Sequence, residues 1–455
     1  MSKVNVKVAY PNPKTHGDGI ASKLTKLEEL RRSVLSNMLW ENEFYEDGES
    51  IATRITNLAN TVDPNKVADL AIEAREQMKL RHVPLLLCRI LAKRGYKVAN
   101  TLARVIQRPD ELTEFLAIYW KNGKEPLSAQ VKKGLALAFT KFDEYQLAKY
   151  NRDENIKLKD VLFLSHAKPL TDDQANVWKR LIDGTIETPD TWEVALSTGK
   201  DKKETFERLI TSKKLGALAL IRNLRKMEES KVDNNIIKQA LLDMKVDRVL
   251  PFRFIAAAKH APRFEQDLEQ AMFKCLSNGT KLPGKTILII DISGSMHGQL
   301  SSKSEMSRYD AANSLAILVR EMCENPVIYA TAGNDGRRIH ATALVPNRRG
   351  FALPDAIMNM NSTLGGGGIF LKQVMDYVYD KEHDADRIII ITDEQDCDNS
   401  NVNAPANANA FGKQNYIINI ASYNRGIAYN KKWIHISGWS EAVLNYIAQY
   451  ELMGN

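Results

Sequence analysis

Residues 126–169 of the 455-residue chain read PLSAQVKKGLALAFTKFDEYQLAKYNRDENIKLKDVLFLSHAKP. Apolar side chains in its first half recur at steps of four, three and four, at Val131, Leu135, Ala138 and Phe142. This spacing is typical of a helix with one buried face. Lysines and arginines fill many of the other positions, and a Ser-His pair comes shortly before the closing proline. The stretch therefore predicts a helical scaffold that presents positive charge to an anionic ligand.

Charge alone leaves two interpretations of these lysines open. Lysine is a good helix former, and lysine runs are common on exposed helix faces that bind nothing. The chain carries a net charge of +7 at pH 7. All of this excess lies in residues 1–280, and the remainder is slightly acidic. Any polyanion is therefore expected to bind the N-terminal part.

Composition excludes several classes of protein. The four cysteines are scattered, with no CxxC or Cys/His spacing, which argues against a zinc site or a disulfide framework. The N-terminus has no apolar segment of the kind that a secretion signal requires, and no run approaches the roughly 20 apolar residues of a membrane span. These features predict a soluble, cytoplasmic protein, which we expect to be a monomer without membrane contact.

The apolar spacing divides the chain into four parts. Residues 1–20 are rich in Pro, Gly, Asn and Lys and predict an arm. Residues 21–276 have helical spacing almost throughout, broken by prolines, which predicts antiparallel helix pairs repeated without a strict period, as in HEAT-like repeats. Residues 277–284 are the predicted linker, and residues 285–455 alternate strands with helices. This alternation predicts an α/β domain with a doubly wound parallel sheet.

Short apolar runs rich in β-branched residues mark the predicted strands: TILIID (286–291), PVIYATA (326–332), IIIITD (388–393), NYIINI (415–420) and WIHIS (433–437). The first run ends in the pattern DxSxS, formed by Asp291, Ser293 and Ser295. Asp393 ends the third run, where it faces the first aspartate if the two strands are neighbours. Such oxygen ligands suit a hard divalent cation, most simply Mg²⁺. Turn formation by Asp and Ser is the structural alternative.

The chain resembles the TROVE module of the Ro autoantigen family, in its bacterial or phage form. The resemblance rests on residues 126–169 and on further segments: TLARVIQRPDEL (101–112), TWEVALSTGK (191–200), KLGALALIRNLRKM (214–227) and RVLPFRFIAAAKHAPRFEQDLEQAM (248–272). It runs from about Thr15 to the C-terminus. The resemblance implies that the HEAT-like helix pairs close into a ring, and that the C-terminal domain is a Rossmann-like von Willebrand factor A domain with a metal-ion-dependent adhesion site.

The resemblance also implies three RNA contacts, at Lys149, Arg152 and His166. Lysine and arginine neutralise phosphates, and histidine stacks on bases or donates to phosphate oxygens. Lys132 and Lys133 are weaker members of the same set. For His166 the alternative of a residue that caps or packs at a helix end stays open.

The sequence departs from the family at the metal site. The family places a threonine after two or three glycines, whereas this chain reads STLGGGGIF (362–370), with Gly368 at the aligned position. Thr363, five residues earlier, is the remaining candidate. Either four protein groups and water hold the cation, or cation binding is weakened or lost.

The function implied by the resemblance is RNA quality control without catalysis. Single-stranded 3′ ends of misfolded noncoding RNA would enter the ring cavity, and Y RNA would bind the outer basic surface and tether an exoribonuclease. The alternative is a protein-interaction scaffold that uses the metal-dependent adhesion site. The acidic loop from Asp393 to Asp398 also suggests a nuclease, but no paired general base is evident.

Overall fold

The computed structural model describes residues 25–35, 48–76, 80–187, 189–197, 199–246, 249, 252–277, 281–300, 306–398, 408–421 and 432–437, with the single residues 443, 444, 447 and 451. The predicted N-terminal arm, residues 1–20, lies outside them.

Helices follow one another through the described N-terminal part of the chain. They are α1 (Lys26–Leu35), α2 (Gly48–Thr61), α3 (Pro64–Glu76), α4 (His82–Lys93), α5 (Ala99–Val105), α6 (Asp110–Tyr119), α7 (Ala129–Phe139), α8 (Glu144–Tyr150), α9 (Leu158–Ser165), α10 (Asp172–Asp183), α11 (Trp192–Ser197), α12 (Lys202–Thr211), α13 (Ala217–Arg222), α14 (Leu224–Glu229), α15 (Asn234–Asp243), α16 (Phe252–His260) and α17 (Glu265–Leu276).

Local sequence signals explain where these helices begin and end. Pro64 is the first residue of α3, a position where the missing amide proton costs nothing. The Ser128 hydroxyl caps α7 by accepting from the Val131 amide, and Asp143 forms a capping box with Gln146 at α8. Gly184 ends α10 at a φ of 72°, a left-handed conformation that glycine adopts without strain.

Neighbouring helices pack in the order expected of helix pairs. Helix α3 contacts α4 and α5, and α7 contacts α5 and α9. Gly134 permits the close approach of α7 to α5, because a Cβ atom there would lie 2.9 Å from the Ala99 carbonyl oxygen. One apolar core runs from Leu30 to Leu181, and a second begins at Phe206 and continues into the sheet domain. The repetition is thus structural, as predicted for a degenerate HEAT-like array.

The C-terminal part is a six-stranded sheet with helices. Its strands are β1 (Leu282–Asp291), β2 (Cys323–Asn334), β3 (Ile339–Leu344), β4 (Arg387–Thr392), β5 (Gln414–Asn419) and β6 (Ile434–Ser437), in the order β3-β2-β1-β4-β5-β6. Its longer helices are α18 (Arg308–Met322), α19 (Ala352–Asn359) and α21 (Leu371–Glu382), and α20 (Asn361–Leu364) is a single turn. Strand β1 begins inside residues 277–284, the segment predicted as a linker.

The sheet differs from the prediction at one edge. All five predicted strands are present and lie parallel to one another, but β3 was not predicted and pairs with β2 in the antiparallel direction. Asn334 lies opposite Ile339 across a tight loop that contains Asp335 and Gly336. An Asp-Gly pair is a hairpin signal. The sequence therefore contained the evidence for β3, although its residues alternate weakly.

Both ends of the helical region are attached to the sheet domain. At one end α1 contacts β6, the strand at the edge of the sheet. At the other end α16 and α17 contact α18, and Lys259 Nζ lies 3.1 Å from Asp310 Oδ2. The Phe351 amide also donates to Glu269 of α17, at 2.8 Å. These attachments close the helical repeats into a ring through the sheet domain, which confirms the predicted fold class.

Candidate metal site and candidate RNA surface

The metal-site motif lies where the winding of the sheet reverses. Strands β1 and β4 are parallel neighbours, with Ile290 opposite Ile391, but the chain reaches β4 only after forming β2 and β3 on the other side of β1. Such a switch point opens a crevice beyond the C-terminal strand ends. Asp291 is the last residue of β1, and Asp393 follows the last residue of β4. The predicted juxtaposition of the two aspartates is therefore a consequence of strand order.

Turn formation and a potential ligand arrangement coexist in the DxSxS loop. Asp291 Oδ1 accepts from the Ser293 amide at 2.9 Å, and Asp291 Oδ2 accepts from the Thr392 hydroxyl at 2.6 Å. The hydroxyl oxygens of Ser293 and Ser295 lie 3.2 Å apart. Adjacent ligands of an octahedral Mg²⁺ with bonds of about 2.1 Å lie about 3 Å apart, so these two hydroxyls are spaced suitably.

Asp393 has a partner that the sequence reasoning missed. Its Oδ2 atom lies 3.1 Å from Nη1 of Arg308, and the side chains of both residues are only 1% exposed. The same nitrogen donates to the Ser295 carbonyl oxygen at 3.4 Å. Arg308 is the first residue of α18 and lies within the capping box that Ser307 and Asp310 form. That capping box is visible in the sequence, but the contact across 85 positions is not.

The glycine run has no room for the threonine of the family pattern. A Cβ atom on Gly368 would lie 2.1 Å from Cys397 Sγ, and one on Gly367 would lie 2.4 Å from the Gly333 carbonyl oxygen. Thr363 is exposed on α20, and its hydroxyl donates to the Met360 carbonyl oxygen at 2.9 Å. The ligands that fit a cation by position are therefore Asp291, Ser293, Ser295 and Asp393, and Asp393 is already ion-paired.

The remaining acidic residues of the loop have structural roles. Asp396 Oδ2 accepts from the Leu371 amide at 2.7 Å, at the start of α21, and Asp398 Oδ2 accepts from the Gln373 amide group at 3.1 Å. Burial raises the pKa of Asp396 to about 8. Burial, with the nearby charge of Asp393, also raises the pKa of Asp291 well above its usual range. Among the described residues, no group of three or more His, Cys, Asp or Glu side chains is arranged to hold a metal ion.

The predicted RNA contacts lie on successive helices of the first core. Lys149 is on α8 and lies 3.7 Å from Glu193 of α11, and Arg152 follows α8, exposed, 3.8 Å from Glu154. His166 ends α9 in a left-handed conformation, with φ 54°, and its residue is exposed. The backbone of His166 therefore ends a helix, as one alternative expects, and its RNA contact stays a prediction at an exposed residue.

The lysines on α7 and just after it differ in their exposure and in their contacts. Lys133 is exposed and Lys132 half-buried, on a helix that contacts α9. Lys141, part of the same basic run in the sequence, donates instead to the carbonyl oxygens of Ala103 and Ile106 at the end of α5. Burial lowers its pKa. Lys141 is thus a capping residue of α5, so this exposed lysine is already engaged by the protein.

Two exposed aromatic side chains accompany these cations. Tyr145 is 55% exposed and lies four residues before Lys149 on α8, and Phe163 is 58% exposed and lies three residues before His166 on α9. Residues three or four apart share a helix face. Sequence reasoning missed both rings. Tyr145 could have been found from the sequence, because it lies outside the apolar stripe of its helix and is therefore expected to be exposed. Tyr145 and Lys149 therefore share a face of α8, whereas His166 lies one residue beyond α9, three residues after Phe163 along the chain.

A family model described as the TROVE domain matches residues 21–183 and 179–349. No curated protein is significantly similar in sequence to the chain. None of the described helices is long and apolar enough to cross a membrane.

Two solved structures are similar in fold. The crystal structure of the Ro (RSR) protein of Deinococcus radiodurans covers 94% of this chain and 99% of its own, with a TM-score of 0.57 at 14% identity. An aerotolerance-related membrane protein from Bacteroides fragilis covers 39% of this chain and 100% of its own at 17% identity, but its TM-score of 0.26 carries no weight. Since the family model spans most of the sequence, the chain belongs to the TROVE domain family.

Proposed function

We propose that the chain is an RNA-binding protein of the Ro type, which holds single-stranded 3′ ends of misfolded noncoding RNA in its ring and Y RNA on its outer basic surface. Membership of the TROVE family indicates RNA binding. In this proposal the protein acts in RNA quality control as a non-catalytic gate, and an exoribonuclease is tethered through the RNA.

One observation carries the proposal: on two consecutive helices, α8 and α9, an exposed aromatic ring lies within four residues of a predicted RNA contact along the chain. Lys149 and His166 supply donors for phosphates, while Tyr145 and Phe163 supply faces for bases. Single strands bind without strong sequence preference when phosphate contacts and stacking are combined in this way.

The non-catalytic role has support in the acidic loop. Asp393 is paired with Arg308, and Asp396 and Asp398 are engaged with α21. Two-metal phosphodiester cleavage needs carboxylates that are available to the ions. We therefore expect no metal-dependent RNA cleavage. The wild type and Asp291→Ala should leave the same fraction of the RNA uncleaved after incubation with metal.

The test is a binding titration with a structured RNA that bears a single-stranded 3′ tail, beside the same RNA with a blunt end. The variant Lys149→Ala/His166→Ala is compared with Lys381→Ala/His383→Ala, which removes the same residue types from exposed positions on the sheet domain. We expect tail-dependent binding that only the first variant loses. Equal binding of the tailed RNA by the two variants would contradict the proposal that the tail binds in the ring cavity.

The protein-interaction scaffold remains the second candidate, because the Ser293 and Ser295 hydroxyls are spaced as adjacent ligands. It requires capture of an acidic partner that EDTA abolishes, with no RNA binding. RNA binding in the titration supports the first function, and its absence together with EDTA-sensitive capture of an acidic partner supports the second.

A further inference from the structure

We propose that the Arg308 guanidinium is the built-in counter-ion of the strand-end site, and that it holds the site together without a divalent cation. This goes beyond RNA binding and concerns the part of the molecule where the sequence predicts Mg²⁺. It rests on burial, on the contacts of one side chain and on the shape of the glycine run.

The burial of Arg308 requires a charged partner. Its side chain is 1% exposed, as is that of Asp393, and the two lie 3.1 Å apart. A buried charge without a partner is strongly disfavoured, so the pair must form together. Asp393 therefore meets a full positive charge from the protein itself, at the position where the family pattern assigns it to a cation.

The guanidinium also joins the two halves of the site. Its Nη1 atom reaches Asp393 beyond β4 and the Ser295 carbonyl oxygen in the DxSxS loop beyond β1. Bridging of two strand-end loops is what a coordinated cation would do there. The Arg308 amide further donates to the Gly298 carbonyl oxygen at 2.9 Å, so the backbone holds the same loop.

The oxygen ligands left for a cation are few. Both carboxylate oxygens of Asp291 accept hydrogen bonds within the protein. Cys397 and the Gly333 backbone fill the space that a threonine side chain would need at Gly368 or Gly367. Arg308 also supplies to Asp393 the positive charge that a divalent ion at the serine hydroxyls would otherwise supply.

The arrangement connects the site to the ring. Asp310, the acidic member of the capping box that encloses Arg308, lies 3.1 Å from Lys259 of α16. A continuous set of contacts thus runs from the helical region through the start of α18 to Asp393. The strand-end site is therefore a joint between the two parts of the chain.

The test uses the full chain and Mn²⁺ as the probe. In calorimetric titration the wild type should show no saturable binding up to about 1 mM Mn²⁺, well above the range of strong cation sites. Its melting temperature should be the same in Mg²⁺ and in EDTA. Saturable binding by the wild type that Ser293→Ala/Ser295→Ala abolishes would overturn the proposal.

Arg308→Met provides the second arm, since it keeps the volume and removes the charge. We expect it to lower the melting temperature, and we expect Arg308→Met/Asp393→Asn, which removes both charges, to recover part of the loss without metal. Arg320→Met is the control on the same helix, because Arg320 is half-buried and donates to the exposed side chain of Asn347 at 2.8 Å. Equal losses for Arg308→Met and Arg320→Met would contradict the proposal. If Arg308→Met does not fold, the wild-type titration decides alone.

Discussion

The guanidinium of Arg75 and the carboxylate of Glu111 lie 2.6 Å apart inside the helical region, where both side chains are buried. Arg75 also donates to the Val105 carbonyl oxygen, and Glu111 Oε2 accepts from the backbone amide of Gln107 at 2.7 Å. The pair therefore fixes α3 against the end of α5 and the start of α6. The helices that it joins share their apolar core with α7, α8 and α9, which hold or adjoin the predicted RNA contacts.

Glu111→Gln should destabilise the protein by about 3–5 kcal/mol, because it leaves a buried arginine without its counter-charge. Urea unfolding followed by circular dichroism measures the loss. Glu76→Gln is the matched control, since Glu76 and Arg104 form a pair with N–O distances of 2.6 and 2.9 Å that is largely exposed. The control should cost less than about 1 kcal/mol. Similar losses for the two variants would show that burial of the first pair is not what matters.

Phe163→Ala should weaken binding of a single-stranded RNA tail by about 1–3 kcal/mol, the usual contribution of one stacked base. Phe163→Trp should retain affinity, because it keeps a stacking face. Tyr379→Ala removes an exposed ring from α21 in the sheet domain and should leave affinity unchanged. Fluorescence anisotropy gives all four affinities. An unchanged affinity in Phe163→Ala would exclude this ring from the RNA path.

Lys149→Ala should change the salt dependence, which Phe163→Ala should not. Each phosphate contact to a single strand contributes about 0.7 to the slope of log K against log salt. We expect the slope of the lysine variant to fall by about that amount, measured between two salt concentrations. A parallel loss at every salt concentration would indicate that Lys149 acts through its contact with Glu193.

Gly368→Thr restores the family residue and should nevertheless destabilise the protein by about 1–3 kcal/mol, as overpacking does. The cause is the 2.1 Å between its Cβ position and Cys397 Sγ. Gly368→Thr/Cys397→Ala should recover part of the loss. Thermal unfolding compares the two variants, and a stable single variant would show that the loop makes room for the side chain.

His340 should make the protein less stable as the pH falls below about 6.5, the ordinary pKa of histidine. Desolvation at its half-buried position on β3 lowers its pKa, so the unfolded chain binds a proton more readily than the folded one. The stability that depends on a neutral His340 is therefore fully present above about pH 6.5 and is lost progressively as the pH falls below that value. His340→Gln should flatten the melting temperature between pH 7.5 and 5.5, whereas the exposed His383→Gln should not.

The hydrophobic pattern of the sequence was sufficient to predict the strands and helices whose burial is regular. The parallel strands were predictable because runs such as IIIITD (388–393) are buried on both faces, and the helices because their apolar positions recur at helical spacing. Strand β3 was missed because its residues are mostly half-exposed and alternate weakly. Its pairing depends on the hairpin more than on its own composition.

At the candidate sites, the sequence pattern did not predict contacts between segments that are distant in the chain. Helical spacing placed Lys141 among surface cations, but it reaches two carbonyl oxygens at the end of another helix. The motif located Asp291 and Asp393, but it gave no sign of Arg308, which depends on packing between distant segments. A motif gives the positions of ligands, whereas the tertiary fold decides which of them are already engaged.

The contact of α1 with β6 has a topological consequence for any polymer bound inside the ring. A chain that is anchored at both ends to one domain surrounds its ligand completely, so a strand can enter only by a free terminus while that contact holds. A covalently circular RNA with the same sequence and length has no terminus to thread. If RNA binds there as proposed, the ring would distinguish RNAs by whether they have an accessible end, and the α1–β6 contact would be the basis of that distinction.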